Sequence, residues 1–127
     1  MRKSPRDNHG HFFYYVYVPK GEHLGDFEQL VLLAMVRLRD NAYGVTIRGE
    51  IESCTGRSPS IGAVYATLDR LQLKGYVSSK LADPTTQRGG RAKRYFHIEQ
   101  SGIDVLRASQ TALRKMCQGI EGAWSQA

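Results

Sequence analysis

Residues 57–98 read RSPSIGAVYATLDRLQLKGYVSSKLADPTTQRGGRAKRYFHI, and the fold follows from how this stretch divides. It holds eight Lys or Arg (Arg57, Arg70, Lys74, Lys80, Arg88, Arg91, Lys93, Arg94) against two acids, Asp69 and Asp83. Its net charge of +6 equals that of the whole 127-residue chain. Residues 1–23 carry +2, residues 24–56 carry −2, and residues 99–127 sum to zero. Positive charge gathered into one stretch is the pattern of a surface that meets a polyanion.

Ser58-Pro59-Ser60 is a helix start, with Ser60 placed to cap the free N–H groups of the first turn. Ile61, Val64, Leu68 and Leu71 recur at spacings of three and four, which predicts one buried face. Ala63, Ala66, Thr67 and Arg70 are expected on the other side. Lys74-Gly75 ends the helix through a left-handed glycine. Tyr76–Leu81 and Arg94–Ile98 are β-prone, and residues 83–93 between them form a turn-rich basic loop. A helix followed by a hairpin with a basic tip is a winged-helix arrangement. The helix suits a major groove and the tip suits phosphates or the minor groove. Double-stranded DNA is therefore the expected partner. Gly62 and Ala63 leave room for close approach, Tyr65 and Arg70 reach bases or phosphate, and Thr67 is expected on phosphate.

Upstream, Leu24 to Leu38 is predicted as the first helix, with Asp26 as N-cap or first-turn acid. Phe27, Leu30, Val31, Ala34, Met35 and Leu38 form one stripe, while Leu32, Leu33 and Val36 make the other sides apolar. Such a helix needs cover on more than one side, so Leu30 is expected to meet a second subunit. After a turn at 40–44, Gly44 or Val45 to Thr55 is a second helix, with Val45, Ile47 or Arg48, Ile51 and Cys54 inward and Gly56 ending it. With the link 57–59 and the helix from Ser60 it makes a helix-turn-helix whose second member reads DNA. Residues 1–23 look like a peripheral arm, and Pro19 onward makes a natural start for the domain, which places an expected translation start at Val18.

Downstream, Gln100-Ser101-Gly102 opens the last helix, with Ser101 as its expected cap. Ile103, Leu106, Gln110, Leu113, Cys117, Ile120 and Trp124 then recur at alternating spacings of three and four. That is a heptad seam, expected to pack on a second copy, with Gln110 fixing register. Gly119 and Gly122 weaken its end. The predicted fold class is α+β, mainly α: an arm at 1–23, a winged helix-turn-helix domain at 24–98, and a dimerisation helix at 99–127.

Other function classes find little support. His9, His11, His23 and His97 come with no acid pair, nucleophile or metal spacing, so no catalytic residue, metal or cofactor is expected. Cys54 and Cys117 lack ligand spacing and are expected as buried thiols. No apolar run approaches the ~20 residues that span a bilayer, so no membrane partner and a cytoplasmic location are expected. A winged helix used for protein or RNA contacts is the alternative, and it would expose an apolar patch on helix 60–75.

LGDFEQLVLLAM (24–35), NAYGVTIRGEIE (41–52), IGAVYATLDRLQLKGYVSS (61–79) and RGGRAKRYFHIEQSG (88–102) together resemble the PadR-like transcriptional regulators over roughly residues 20–122. The arm departs from the family's usual pattern, and the single C-terminal helix is that of its small members. The resemblance implies a homodimeric repressor on a palindromic operator, released by a small-molecule effector. It implies DNA contacts at Ser60, Gly62, Ala63, Tyr65, Thr67 and Arg70, with Arg88, Arg91 and Lys93 in the wing. Some small members hold flat aromatic compounds between their C-terminal helices, which makes a small aromatic effector the implied ligand. Trp124 lies beyond the weakened end of the seam and is not assigned that role.

Overall fold

The computed structural model describes residues 23–82 and 92–124, so the arm, the Val18 start and most of the wing loop lie outside the described residues. The elements are α1 (Asp26–Leu38), a 3-10 turn at Arg39–Asn41, α2 (Gly44–Thr55), α3 (Ile61–Leu73), β1 (Val77–Leu81), β2 (Arg94–Ile98), α4 (Gln100–Cys117) and α5 (Glu121–Trp124). The fold is mainly helical, with one two-stranded antiparallel hairpin. Among the described residues no helix is long and apolar enough to cross a membrane.

α1 is the floor of the domain and packs on α2, α3, β2 and α4. Its N-cap is Gly25 rather than Asp26, which stands in the first turn. The cap is closed from inside the helix, since the Gly25 N–H donates to Glu28 Oε1 at 2.9 Å. Glu28 is buried, and its other oxygen accepts from Lys74 Nζ at 3.3 Å, with Arg70 Nε 3.8 Å away. One carboxylate thus starts α1 and holds the far end of α3. A charge this deep is tolerated because it is paired and hydrogen-bonded.

The core is formed by Val31, Leu32 and Met35 of α1, Ile47 and Ile51 of α2, Val64, Leu68 and Leu71 of α3, and Phe96 of β2. α2 stops at Gly56, whose φ of 78° is the left-handed conformation that glycine adopts without penalty. Two sequence expectations for α2 change. Val45 and Cys54 are exposed, because a helix of 3.6 residues per turn turns Gly44, Ile47 and Ile51 inward and leaves these two outside that face. Cys117 is half-buried, so neither thiol is a core residue.

The hairpin pairs Val77 with Ile98 through Leu81 with Arg94. The outer edge of β2 is capped in turn: the Phe96 N–H donates to the Ala42 carbonyl at 2.8 Å. The start of β1 is a joint between helices. The Tyr76 N–H donates to Leu71 O at 2.9 Å, and Tyr76 O accepts from the Glu99 N–H at 2.9 Å. Glu99, not Ser101, is the N-cap of α4; Ser101 Oγ instead donates to the Gly75 carbonyl at 2.7 Å.

α4 splits into two halves. Gly102, Val105 and Leu106 are buried in this domain, so Leu106 belongs to the domain's own core rather than to an intersubunit seam. Ile103, Gln110 and Cys117 are half-buried, while Leu113, Met116, Ile120 and Trp124 are exposed. The helix breaks after Cys117, where Gly119 takes φ 82°.

A Cβ at Gly102 would collide with the Tyr76 carbonyl oxygen, while one at Gly49 meets nothing within 4 Å. Gly102→Ala is expected to destabilise the domain by about 1–3 kcal/mol, and Gly49→Ala to stabilise it by about 0.5–1 kcal/mol. Urea unfolding followed by circular dichroism compares the two. Equal midpoints for both variants would contradict the close joint between β1 and α4.

Candidate nucleic-acid interface

The turn of the helix-turn-helix is held by Arg48 of α2. Its Nε donates to the Pro59 carbonyl at 2.6 Å and its Nη2 to Ser58 Oγ at 3.2 Å. The sequence left Arg48 as an alternative to Ile47 on the inner face; the side chain spans the turn instead. Ser60 then caps α3, its Oγ accepting from the Ala63 N–H at 3.0 Å. These three bonds together fix where the N-terminus of α3 points, and they leave its first turn exposed.

Ser60, Gly62, Ala63, Tyr65 and Arg70 are exposed on α3, as expected. Thr67 is not: it is 2% exposed and lies with Val64, Leu68 and Leu71 on the core face. Thr67 therefore has no surface to offer a phosphate. Its Oγ1 accepts from Arg70 Nη2 at 3.1 Å, so it orients a neighbour. Ile61 takes the exposed place, because the inner face is set by 64, 67, 68 and 71 and the helix start sits outside it. Tyr65 is at the margin of exposure, with its ring laid over Gly44 so closely that a Cβ there would collide with it. The close packing of Tyr65 is thus against α2.

Lys93 stands at the base of the wing, exposed, with its Nζ 4.5 Å from the centre of the Tyr43 ring and 3.2 Å from the Tyr43 hydroxyl, to which it donates. That hydrogen bond, aided by the tyrosine's electrostatic attraction, raises the Lys93 pKa above the ordinary lysine value. Tyr95 packs edge-on to Tyr43 at 5.3 Å. Tyr43 was legible only as part of a turn; its signal was the aromatic at the helix start facing the aromatic at the strand start. Arg88 and Arg91 lie outside the described residues.

The remaining cations of the basic stretch divide by partner. Arg57 Nη1 pairs with Asp26 at 2.6 Å, and Arg70 and Lys74 face Glu28. Arg94 keeps its charge but is fixed on Ser79, on Gln72 and over the Phe96 ring. Of the described cations of this stretch, Lys80, Lys93 and Arg94, all in the hairpin, are exposed with no acidic partner among the described residues. A helix N-terminus with its dipole toward solvent and ammonium groups alongside suits a polyanion.

A model of the transcriptional regulator PadR-like family matches residues 32–108, more than half of the chain. The fold is similar to that of a PadR family transcriptional regulator from Eggerthella lenta, at 22% identity and a TM-score of 0.60 over 78% of this chain and 84% of that one. It is similar to a PadR family transcription regulator from Clostridium difficile, at 17% identity and a TM-score of 0.63 over 77% and 98%. A transcriptional regulator from Thermoplasma acidophilum is similar at 21% identity and a TM-score of 0.62 over 78% and 91%. No curated protein sequence matches the chain. The matched span runs from within α1 through the helix-turn-helix and hairpin into α4, and on that ground the chain belongs to the PadR-like family of DNA-binding transcriptional regulators, which are not enzymes.

Proposed function

We propose that the protein is a cytoplasmic, homodimeric repressor that places α3 of each subunit in successive major grooves of a palindromic operator. The observation that carries this is the build of α3: a capped N-terminus, small residues Gly62, Ala63 and Ala66 on its open side, and the Tyr43-held Lys93 beside it. Ser60, Gly62, Ala63, Tyr65 and Arg70 are the contacts from the helix. Lys93, with Arg88 and Arg91 of the wing, contacts phosphate. Exposed apolar residues do not favour a protein-docking role for α3, because Ile61 and Tyr65 stand in its first turns and Leu73 at its far end, with Ile61 and Leu73 roughly 18 Å apart along the axis.

Dimerisation runs through the distal half of α4 and α5. Leu113, Met116, Ile120 and Trp124 stand exposed along this one segment, and Leu30 of α1, half-buried against the core, adds to the apolar surface that a second copy would cover. A two-fold pairing of these segments covers both copies at once. A flat aromatic effector entering between them finds Trp124, 65% exposed, and Met116, 77% exposed, as contact surfaces.

Ala63→Glu puts a carboxylate where phosphates approach and is expected to abolish operator binding while circular dichroism stays unchanged; wild-type affinity in a mobility shift with the promoter of its own gene would remove α3 as the reader. Lys93→Ala is expected to weaken specific and scrambled duplexes about equally and to reduce the salt slope by about one per subunit. An altered base preference at an unchanged slope would contradict a phosphate role. Leu113→Asp is expected to shift the sedimenting species toward monomer; a folded wild-type monomer at micromolar concentration would remove the dimer.

A further inference from the structure

We propose that Asp69 is a specificity-determining residue of α3, accepting a hydrogen bond from the exocyclic amino group of a cytosine in the major groove. The inference rests on the reading of α3 given above and adds to it a residue that the contacts named so far omit. The buried face of α3 is Val64, Thr67, Leu68 and Leu71. At 3.6 residues per turn the line directly opposite runs through Gly62, Ala66, Asp69 and Leu73, all exposed. Tyr65 and Arg70 flank that line on either side. Within it Gly62 and Ala66 are too short to hold the helix off, and Leu73 can form no hydrogen bond. Asp69 is therefore the one side chain on the midline able to read a base edge by hydrogen bonding.

Its neighbours do not use it up. Among the described residues Asp69 has no hydrogen bond or ion pair, although Arg70 is adjacent, because Arg70 is drawn back onto Thr67 and Glu28. A carboxylate facing phosphate would be repelled, so its place on a bound helix is toward a donor. The major groove offers two: cytosine N4 and adenine N6. Beside adenine N6 stands N7, an acceptor that repels a carboxylate; beside cytosine N4 stands a C–H edge. Cytosine is the base that fits.

The test is selection from a randomised duplex library at fixed salt with the full-length protein, comparing wild type, Asp69→Ala and Asp69→Asn, with circular dichroism to confirm folding. Wild type is expected to select cytosine at one position of each half-site. Asp69→Ala is expected to lose that preference by on the order of tenfold while keeping the others. Asp69→Asn is expected to move it to adenine, since an amide matches N6 and N7 together. If wild type selects a sequence and Asp69→Ala selects the same one, the inference fails and the reading of α3 stands. If Asp69→Ala binds all sequences more tightly with no change of preference, Asp69 faces the backbone and the inference also fails. If wild type selects no sequence at all, the reading of α3 itself fails.

Discussion

Glu28 is the constraint on which the arrangement depends. It sits near the start of α1, 7% exposed, and serves three positions far apart in the chain: the Gly25 N–H, Lys74 and Arg70. Without a carboxylate there, the first turn of α1 loses its cap and the end of α3 loses its anchor. The reverse also holds, since a buried carboxylate without Lys74 and Arg70 would be costly. Each helix is therefore stable only with the other in place. The orientation of α3 is coupled to the fold rather than left to its own propensity. Arg48 does the same at the other end of α3, through the Pro59 carbonyl.

This coupling changes what the charge of residues 57–98 means. A net charge of +6 on one stretch suggests a uniform basic surface. Folding spends Arg57 on Asp26, and sets Arg70 and Lys74 against Glu28. The acids responsible come from α1, in the segment that sums to −2. Segment charges alone hide such pairing, because the partners are 31 to 46 positions apart. The exposed Asp69 sharpens the point: the outward midline of α3 carries an acid and no cation, although the stretch as a whole is basic.

Element order was legible because each boundary has a local cause. Ser60 caps, Gly56 and Gly75 take positive φ, and Val64, Leu68 and Leu71 mark a face. The errors lie where local reasoning is ambiguous. Ile61 and Thr67 compete for the same face, and hydrophobicity favours Ile61; the geometry favours Thr67, whose hydroxyl stays satisfied by Arg70. Ser101 looks like a cap, yet its hydroxyl is taken by the Gly75 carbonyl, a tertiary partner no window of sequence reveals. Tyr43 and Lys93, 50 positions apart, meet only because Ala42 pairs with the edge of β2.

The heptad seam was read as one surface, and the fold divides it. Val105 and Leu106 go into the domain, and the exposed apolar residues begin at Leu113. The division matters because the buried half is joined to α3 through two residues. Gly75 accepts from Ser101, and Tyr76 donates to Leu71 while accepting from Glu99. The absence of a Cβ at Gly102 lets α4 lie directly on the Tyr76 carbonyl. In a dimer held by the distal half, a tilt of α4 is passed to α3 across this joint with no flexible linker between them. On the proposed reading, the distance between two reading helices is then set by how two α4 segments pack, and a ligand that spreads those segments changes the fit to DNA without touching α3.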